Sequence, residues 1–186
     1  APDGLCLGAV GVEFLRREPE SLGKAKEREK DPIETKESYR WLSGYRLACE
    51  LAGARPDVRI VSVADCECDI YEIFLERERQ TTPAEYVVRA KIDRKTPERD
   101  EAAGPWSYKS AADEVASSPI VAVRTIQLPR TPKREPRTAT LAIRAASVAL
   151  KPPHTKGSLP RVSLNLVSVE EVDGPGDGTD VSWLLW

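Results

Sequence analysis

The second half of the chain alternates polar and apolar residues in four stretches, the period-two pattern of strands that bury one face. The stretches cover residues 120–128, 138–150, 161–172 and 181–186. Segments rich in Pro, Gly and Lys separate them, as expected of turns between strands. We therefore predict an antiparallel sheet with one solvated face in this half of the chain.

The first half has patterns that predict strands alternating with helices. Apolar and β-branched residues from 58 to 64, interrupted only by Arg59 and Ser62, predict a central strand buried on both faces. The other predicted elements are an edge or second strand at 5–15, a solvated loop at 16–35, helices at 36–52 and from 70 to about 79, and a strand at 86–92. Thr35 and Asp69 are expected to cap the two helices. A strand, a helix and a strand in this order predict a crossover unit of an α/β fold.

A charged segment at residues 96–105 marks a change in composition, and we interpret it as a linker. A short helix is predicted within 106–116, ahead of the four alternating stretches. The sequence therefore predicts an α/β core at 1–95, a linker at 96–105 and a β-rich subdomain at 106–186.

Composition restricts the class of protein. With 186 residues, 40% of them hydrophobic, the chain can bury a core, and no apolar run approaches the roughly 18 residues of a membrane span. Its four scattered cysteines suit a reducing cytoplasm better than a disulfide framework. A turn sequence opens the chain and methionine is absent, so we expect a piece of a longer protein.

The net charge of −2 hides an asymmetry along the chain. Between residues 119 and 161 there are nine basic residues and one acid, Glu135, whereas residues 170–180 contain five acids and no base. The basic region is either ordinary solvated surface or a local field that attracts phosphate. Charge alone leaves both interpretations open.

The candidate chemistry lies directly after the predicted central strand. Asp65 stands at the carboxyl end of that strand, the end at which ligands and metals bind in open α/β sheets. Glu67 is a weaker candidate for the same crevice, whereas Asp69 and Glu72 have the spacing of a helix cap. Asp65 is therefore the carboxylate that we expect to face a ligand.

A basic row follows at the end of the next predicted strand. Arg89 and Lys91 are two positions apart and so project from the same face, with Arg94 close behind them. The row is either the polar face of a half-exposed strand or a set of phosphate contacts beside the crevice.

The sequence lacks the motifs of several other enzyme classes. The sequence has no phosphate-binding or dinucleotide-binding glycine loop and no nucleophile elbow. Its single histidine, His154, cannot supply a histidine-based triad, and no cysteine pairs have zinc-site spacing.

Residues 63–72, Val-Ala-Asp-Cys-Glu-Cys-Asp-Ile-Tyr-Glu, resemble the D-R-E-x-D-I-Y-E signature of bacterial cut-and-paste insertion-sequence transposases. Three further blocks follow the order of that family: Lys-Glu-Ser-Tyr-Arg-Trp-Leu at 36–42, Tyr-Val-Val-Arg-Ala-Lys at 86–91 and Trp-Leu-Leu at 183–185. The resemblance spans nearly the whole chain. It departs from the family at Cys66, where the usual residue is arginine.

The resemblance implies a DDE transposase of the hairpin-forming type, with a partial ribonuclease-H-like mixed sheet in the core at 1–95 and an inserted antiparallel β-rich subdomain at 106–186. Asp65 would be the second of three catalytic carboxylates, which together hold Mg²⁺ or Mn²⁺ in the intact enzyme. The other two carboxylates would lie outside this chain. The fragment alone is therefore expected to be inactive.

The resemblance also implies partners and DNA contacts. Arg89, Lys91 and Arg94 would contact DNA near the bound transposon end, and Trp183 would stack on a flipped base. Without the resemblance, Trp183 is a core or interface aromatic residue. The implied partners are transposon ends and target DNA, with the parent acting as a dimer on DNA and away from membranes. The alternative is a non-enzymatic α/β module that binds nucleic acid or protein.

Overall fold

The structure of the chain, a computed structural model, describes residues 4–14, 31–104, 107–132 and 134–186. It is a mixed α/β structure with small sheets and few helices, so the predicted α/β class is confirmed. The chain divides into two compact units, each built from separated segments. Unit 1 is Ala1–Ser62 and Ile70–Tyr86, and unit 2 is Val63–Asp69 and Val87–Trp186. This division differs from the boundaries at 95 and 105 that composition predicts.

Both predicted helices of unit 1 are present, as α1, Tyr39–Ala54, and α2, Tyr71–Arg79. The Tyr45 hydroxyl donates a hydrogen bond to the Ala84 carbonyl oxygen at 2.8 Å within the buried core. Thr35 does not cap α1, because the helix begins at Tyr39 and its cap position is Ser38; the Thr35 hydroxyl donates instead to the Pro32 carbonyl. Within the described ranges, no helix is long and apolar enough to cross a membrane.

An ion pair joins the two helices of unit 1. The guanidinium of Arg46 on α1 donates from Nε and Nη2 to the two carboxylate oxygens of Glu76 on α2, at 2.8 and 3.0 Å. This bidentate geometry is the strong form of an arginine–carboxylate contact. The hydrogen bonds from Arg46 are the main cause that lowers the pKa of Glu76; burial opposes them, and a hydrogen bond from Gln80 adds to the lowering.

The strand before Asp65 is β1, Val61–Ala64, and it pairs with β2, Glu85–Val88. Hydrogen bonds from the Glu85 amide to the Ile60 carbonyl and from the Arg89 amide to the Ala64 carbonyl advance in the same direction along both strands. The strands are therefore parallel, and α2 lies between them in sequence, as the predicted crossover requires.

The prediction that this strand is buried on both faces is wrong. Val61 is 43% exposed and Val63 is 76% exposed. Within the part of the chain that the structure describes, β2 is the only strand paired with β1, so one face and one edge of β1 stay uncovered.

The predicted strand at 5–15 does not form in its described part. Residues 4–14 have no regular secondary structure and all are exposed, although Leu7 and Phe14 are apolar. A strand needs a neighbouring strand, and no strand among the described residues pairs with this segment. Residue 15 and positions 16–30 of the predicted loop lie outside the described residues.

Unit 2 contains the predicted antiparallel sheet. Its four strands are adjacent in sequence order: β5, Ile120–Leu128; β6, Arg137–Leu150; β7, Val162–Val172; and β8, Ser182–Leu185. All three pairings are antiparallel. Val148 on β6 lies opposite Leu164 on β7, and both are buried. The short helix α3, Ala111–Ala116, packs against these two strands.

The predicted linker contains regular structure. Strand β3, Lys95–Arg99, pairs antiparallel with β4, Tyr108–Ser110, and a 3-10 turn, Glu101–Ala103, lies between them. The charged composition hid this hairpin because only Thr96 and Ser110 of the two strands are buried. Its outer face carries an ion pair between Lys109 and Glu98.

We expect Glu171 to give unit 2 an acid-sensitive contact. Its carboxylate accepts hydrogen bonds from Arg137 and from the Val181 amide, the latter at 3.0 Å, and these contacts lower its pKa to about 2. An unfolded glutamate has a pKa of about 4.3. Because the folded pKa is the lower one, the stabilisation is present above about pH 4.3 and is lost as the pH falls towards about 2.

Urea unfolding of Glu171→Gln against the unchanged chain checks this expectation. The unfolding midpoint of Glu171→Gln should be lower than that of the unchanged chain. This difference should be largest at pH 7 and should vanish near pH 2. Glu135→Gln, which alters a carboxylate that is 78% exposed, is the control and should leave the midpoint nearly constant. A Glu171→Gln difference that is the same at both pH values would contradict the expectation.

Candidate functional site

Asp65 is exposed at the carboxyl end of β1 and belongs to unit 2. It caps a 3-10 turn, Cys66–Cys68, because its Oδ1 accepts a hydrogen bond from the Glu67 amide at 2.9 Å. The turn also closes through the Cys68 amide, which donates to the Asp65 carbonyl at 3.2 Å. The carboxylate is therefore oriented by its own turn and faces solvent. Glu67 is exposed beside it.

Asp69 has a different role from the predicted helix cap. The residue before α2 is Ile70, whereas Asp69 is buried and points away to a loop of unit 2. Its Oδ2 accepts hydrogen bonds from the amides of Lys91 and Ile92 at 2.8 and 3.3 Å. Its Oδ1 accepts from Arg94 Nε at 3.0 Å. Asp69 thus holds the backbone of the basic row in place.

Arg94 is the partner of that buried carboxylate. Its side chain is 6% exposed, and its guanidinium also donates to the Asp69 carbonyl at 2.9 Å. A guanidinium engaged in this way is held inside unit 2 and is too buried to contact DNA as the sequence predicts. The sequence row of three basic residues therefore separates into an exposed pair, Arg89 and Lys91, and a buried positioning residue.

Backbone pairing within unit 2 places Arg89 beside the strand that carries Trp183, and Lys91 follows Arg89 in a bend. The Ala90 amide donates to the Leu184 carbonyl at 2.8 Å, and Arg89 is bridged to Leu185 in antiparallel register. Residues paired in this way point to the same face, as do residues two apart on one strand. Arg89 therefore shares a face with Leu185 and Trp183, and Trp183 is 39% exposed.

A second backbone contact connects the segment before Asp65 to Arg89. The Arg89 amide donates to the carbonyl oxygen of Ala64, the residue directly before Asp65, at 3.2 Å. Three segments that are far apart in sequence, around residues 64, 90 and 184, are therefore hydrogen-bonded side by side. They bring an exposed carboxylate, two exposed cations and a partly exposed indole into one region of unit 2.

The metal-binding capacity of this region is restricted. No group of three His, Cys, Asp or Glu side chains that could hold an ion occurs among the residues that the structure describes. Burial, followed by the negative charges of Asp65 and Asp69, raises the pKa of the Cys68 thiol to about 12, so it stays protonated at neutral pH and is a poor ligand. Asp65 fits a hard cation only as one ligand of several.

Sequence reasoning missed a second basic feature of unit 2. An open groove of about 520 Å³, which we call the Tyr108 groove, is lined among others by Lys95, Tyr108, Lys151, Pro153, His154 and Arg161. Lys151 and Arg161 belong to the basic region noted in the sequence, but Tyr108 is more than 40 residues away from them. No local pattern connects these positions, because strand pairing brings them together.

Comparison of the chain with protein-family models finds no match, and no curated protein matches it.

Proposed function

We propose that this chain is part of the catalytic domain of a bacterial DDE transposase of the cut-and-paste, hairpin-forming type, with a ribonuclease-H-like core. The observation that carries the proposal is the backbone pairing of the segments around Ala64, Ala90 and Leu184. It brings three of the four sequence blocks of the resemblance side by side. The parallel β1–α2–β2 crossover is compatible with such a core.

Asp65 would act as one ligand of the Mg²⁺ or Mn²⁺ ions of the intact enzyme. Divalent ions bound there activate the attacking oxygen and stabilise the leaving oxygen of a phosphodiester. The Glu67 amide orients the Asp65 carboxylate before any ligand binds, which lowers the cost of bringing it into position. The other two carboxylates would come from polypeptide outside these 186 residues, so the chain alone should be inactive.

Arg89, Lys91 and Trp183 would hold the DNA. Arg89 and Lys91 can neutralise phosphates on either side of the cleaved bond, and the exposed part of the Trp183 ring can stack on an unpaired base. Their partners would be transposon ends and target DNA, with the parent working in the cytoplasm as a dimer on DNA. Asp69 and Arg94 would keep the row in register from inside the unit.

A non-enzymatic α/β module that binds nucleic acid or protein is the second candidate. The exposed Arg89 and Lys91 would serve such a module in DNA binding without any catalytic role for Asp65. The deciding experiment is a Mg²⁺-dependent cleavage assay of the intact polypeptide, using DNA that carries its cognate terminal repeats. Cleavage at the repeat ends that EDTA stops supports the transposase. DNA binding without any turnover supports the module, and turnover by the 186-residue chain alone would contradict its expected inactivity.

Removing both exposed cations should weaken DNA binding. For Arg89→Ala with Lys91→Ala, we expect the slope of log affinity against log salt to fall by about 1.8, because each phosphate contact contributes about 0.9. Fluorescence anisotropy with a labelled duplex measures this slope on the 186-residue chain.

The matched control replaces Arg55 and Arg79, two exposed arginines of unit 1, with alanine. Because the control removes the same charge, its slope should change by much less. An equal change in both variants would mean that net charge, rather than the Arg89–Lys91 row, governs binding.

A further inference from the structure

The Tyr108 groove has a framework that is set by backbone contacts within unit 2. The Lys151 amide donates to the Lys95 carbonyl at 2.9 Å, and the Ala111 amide donates to the Arg94 carbonyl at the same distance. Pro152 and Pro153 follow Lys151 and restrict the backbone there. The walls of the groove are therefore in place without a ligand.

Positive charge is concentrated around the Tyr108 ring. The Lys151 Nζ lies 3.4 Å from the ring centroid and the Arg99 Cζ lies 4.3 Å from it. The pKa of the Tyr108 hydroxyl is lowered, mainly by its hydrogen bond with Lys151 and further by the charges of Arg99 and Arg161. The same cations would attract a phosphate oxygen to this position.

Most acidic side chains near the groove already form ion pairs with basic residues. Asp93 pairs with Lys95 at 3.1 Å, and Asp69 is buried against Arg94. Among the described residues, no carboxylate lies within ion-pair distance of Lys151 or Arg161. The groove consequently has uncompensated positive charge, and an anionic ligand would supply the missing negative charge.

The groove begins where the Arg89–Lys91 row ends. Ile92, Asp93 and Arg94 line it and follow Lys91 directly along the chain. The buried Asp69 carboxylate fixes the amides of Lys91 and Ile92 at this junction. A long polyanion with regularly spaced charges could therefore pass from the row into the groove, whereas a single small anion would use only one of them.

We propose that the Tyr108 groove is a binding site for the phosphodiester backbone of DNA, in which Lys151 and Arg161 neutralise phosphates and the Tyr108 hydroxyl donates a hydrogen bond to a phosphate oxygen. Sugar faces would rest on the apolar lining of Pro152, Pro153 and Leu159. The site does not depend on the catalytic role of Asp65. It binds backbone rather than base edges, so it is independent of sequence.

The test measures the affinity of the 186-residue chain for a labelled duplex of arbitrary sequence over a range of salt concentrations. For Lys151→Gln with Arg161→Gln we expect affinity to fall about tenfold or more near 0.1 M salt and the salt slope to fall by about 1.8. Tyr108→Phe should give a smaller loss with an unchanged slope. The control, Lys109→Gln with Arg130→Gln, removes two cations of unit 2 that are paired with acids outside the groove, and it should change affinity less than twofold.

A second measurement uses the unchanged chain and so does not depend on the folding of a variant. Duplex DNA should protect Lys151 from acetylation while Lys109 stays reactive, as read by mass spectrometry. The proposal is overturned if the groove variant binds like the control, or if Lys151 acetylates equally with and without DNA. It is also overturned if inorganic phosphate or a polyglutamate peptide displaces the duplex at equal charge concentration, because the site would then take free anions or acidic protein.

The outcomes separate this site from the proposed function. Loss of binding in the groove variant, with none in the Arg89→Ala, Lys91→Ala variant, would support the groove and count against the row. Cleavage by the intact polypeptide with an unaffected groove variant would support the transposase and overturn the groove.

Discussion

If the proposed function is right, replacing Asp65 with asparagine in the intact polypeptide should abolish Mg²⁺-dependent strand cleavage, with a loss of at least about 10³-fold. Ions at such sites supply several kcal/mol of transition-state stabilisation, and each 1.4 kcal/mol is about tenfold in rate. Asparagine keeps the shape of the side chain and can still accept the hydrogen bond from the Glu67 amide, so the turn should persist. Only the negative charge at the end of β1 is lost. Single-turnover cleavage of a pre-bound transposon end measures the effect.

Glu67→Gln is the matched control, because Glu67 is an exposed carboxylate two residues away on the same turn. We expect it to keep most of the cleavage activity. DNA affinity should be unchanged in both variants, since neither removes a cation. Cleavage by the Asp65→Asn variant at the unchanged rate would exclude Asp65 from the metal site, and an equal loss in both variants would point to the charge of the turn as a whole.

Replacing Asp69 with alanine should destabilise the chain by about 3–5 kcal/mol, because it leaves the Arg94 guanidinium buried without its counter-charge. The same change also removes the acceptor for the Lys91 and Ile92 amides. Typical domains are stable by only about 5–15 kcal/mol, so this loss is a large fraction of the total. Urea denaturation monitored by circular dichroism measures the loss.

Two comparisons show whether burial is the cause. Asp57→Ala breaks an ion pair with Arg55 in which the side chains are 57% and 65% exposed, so the expected cost is below about 1 kcal/mol. The double variant Asp69→Leu, Arg94→Met removes both buried charges and should be more stable than Asp69→Ala, because no charge stays buried alone. A cost of Asp69→Ala as small as that of Asp57→Ala would contradict the expectation.

The β-rich half was predictable because its signal is local. In 138–150 and 161–172 the side-chain alternation matches the two faces of a strand, and the structure has β6 and β7 within one residue of those limits. Helix α1 was also predictable, from the four-residue spacing of Tyr45 and Cys49, both of which are buried. Patterns of this kind depend only on the period of the backbone.

The parts that sequence reasoning missed depend on contacts between distant residues. In the sequence, Asp69 has the position of a helix cap. In the structure its carboxylate binds the amides of Lys91 and Ile92 and the guanidinium of Arg94 instead of the start of the helix. The hairpin of β3 and β4 was hidden because a strand held mainly by backbone pairing has no apolar alternation. Apolar composition also overstated the burial of β1, since burial requires neighbours as well as apolar side chains.

Of the candidate site, the identities of Asp65, Arg89, Lys91 and Trp183 could be proposed from the sequence, but their adjacency could not. Only the pairing of Ala90 with Leu184 and of Arg89 with Ala64 places them in one region. The same limitation applies to the Tyr108 groove, which has contributions from three separate segments.

The interleaving of the two units affects how the polypeptide matures on the ribosome. Residues 63–69 are synthesised early but belong to unit 2, whose last strand is not complete until residue 185. Asp69 therefore leaves the exit tunnel well before Arg94, its buried counter-ion, and the nascent chain must hold that carboxylate in water during the interval. Unit 1 can close as soon as Tyr86 emerges, so vectorial synthesis favours completion of the helical unit first and docking of the Asp65 turn onto the sheet afterwards.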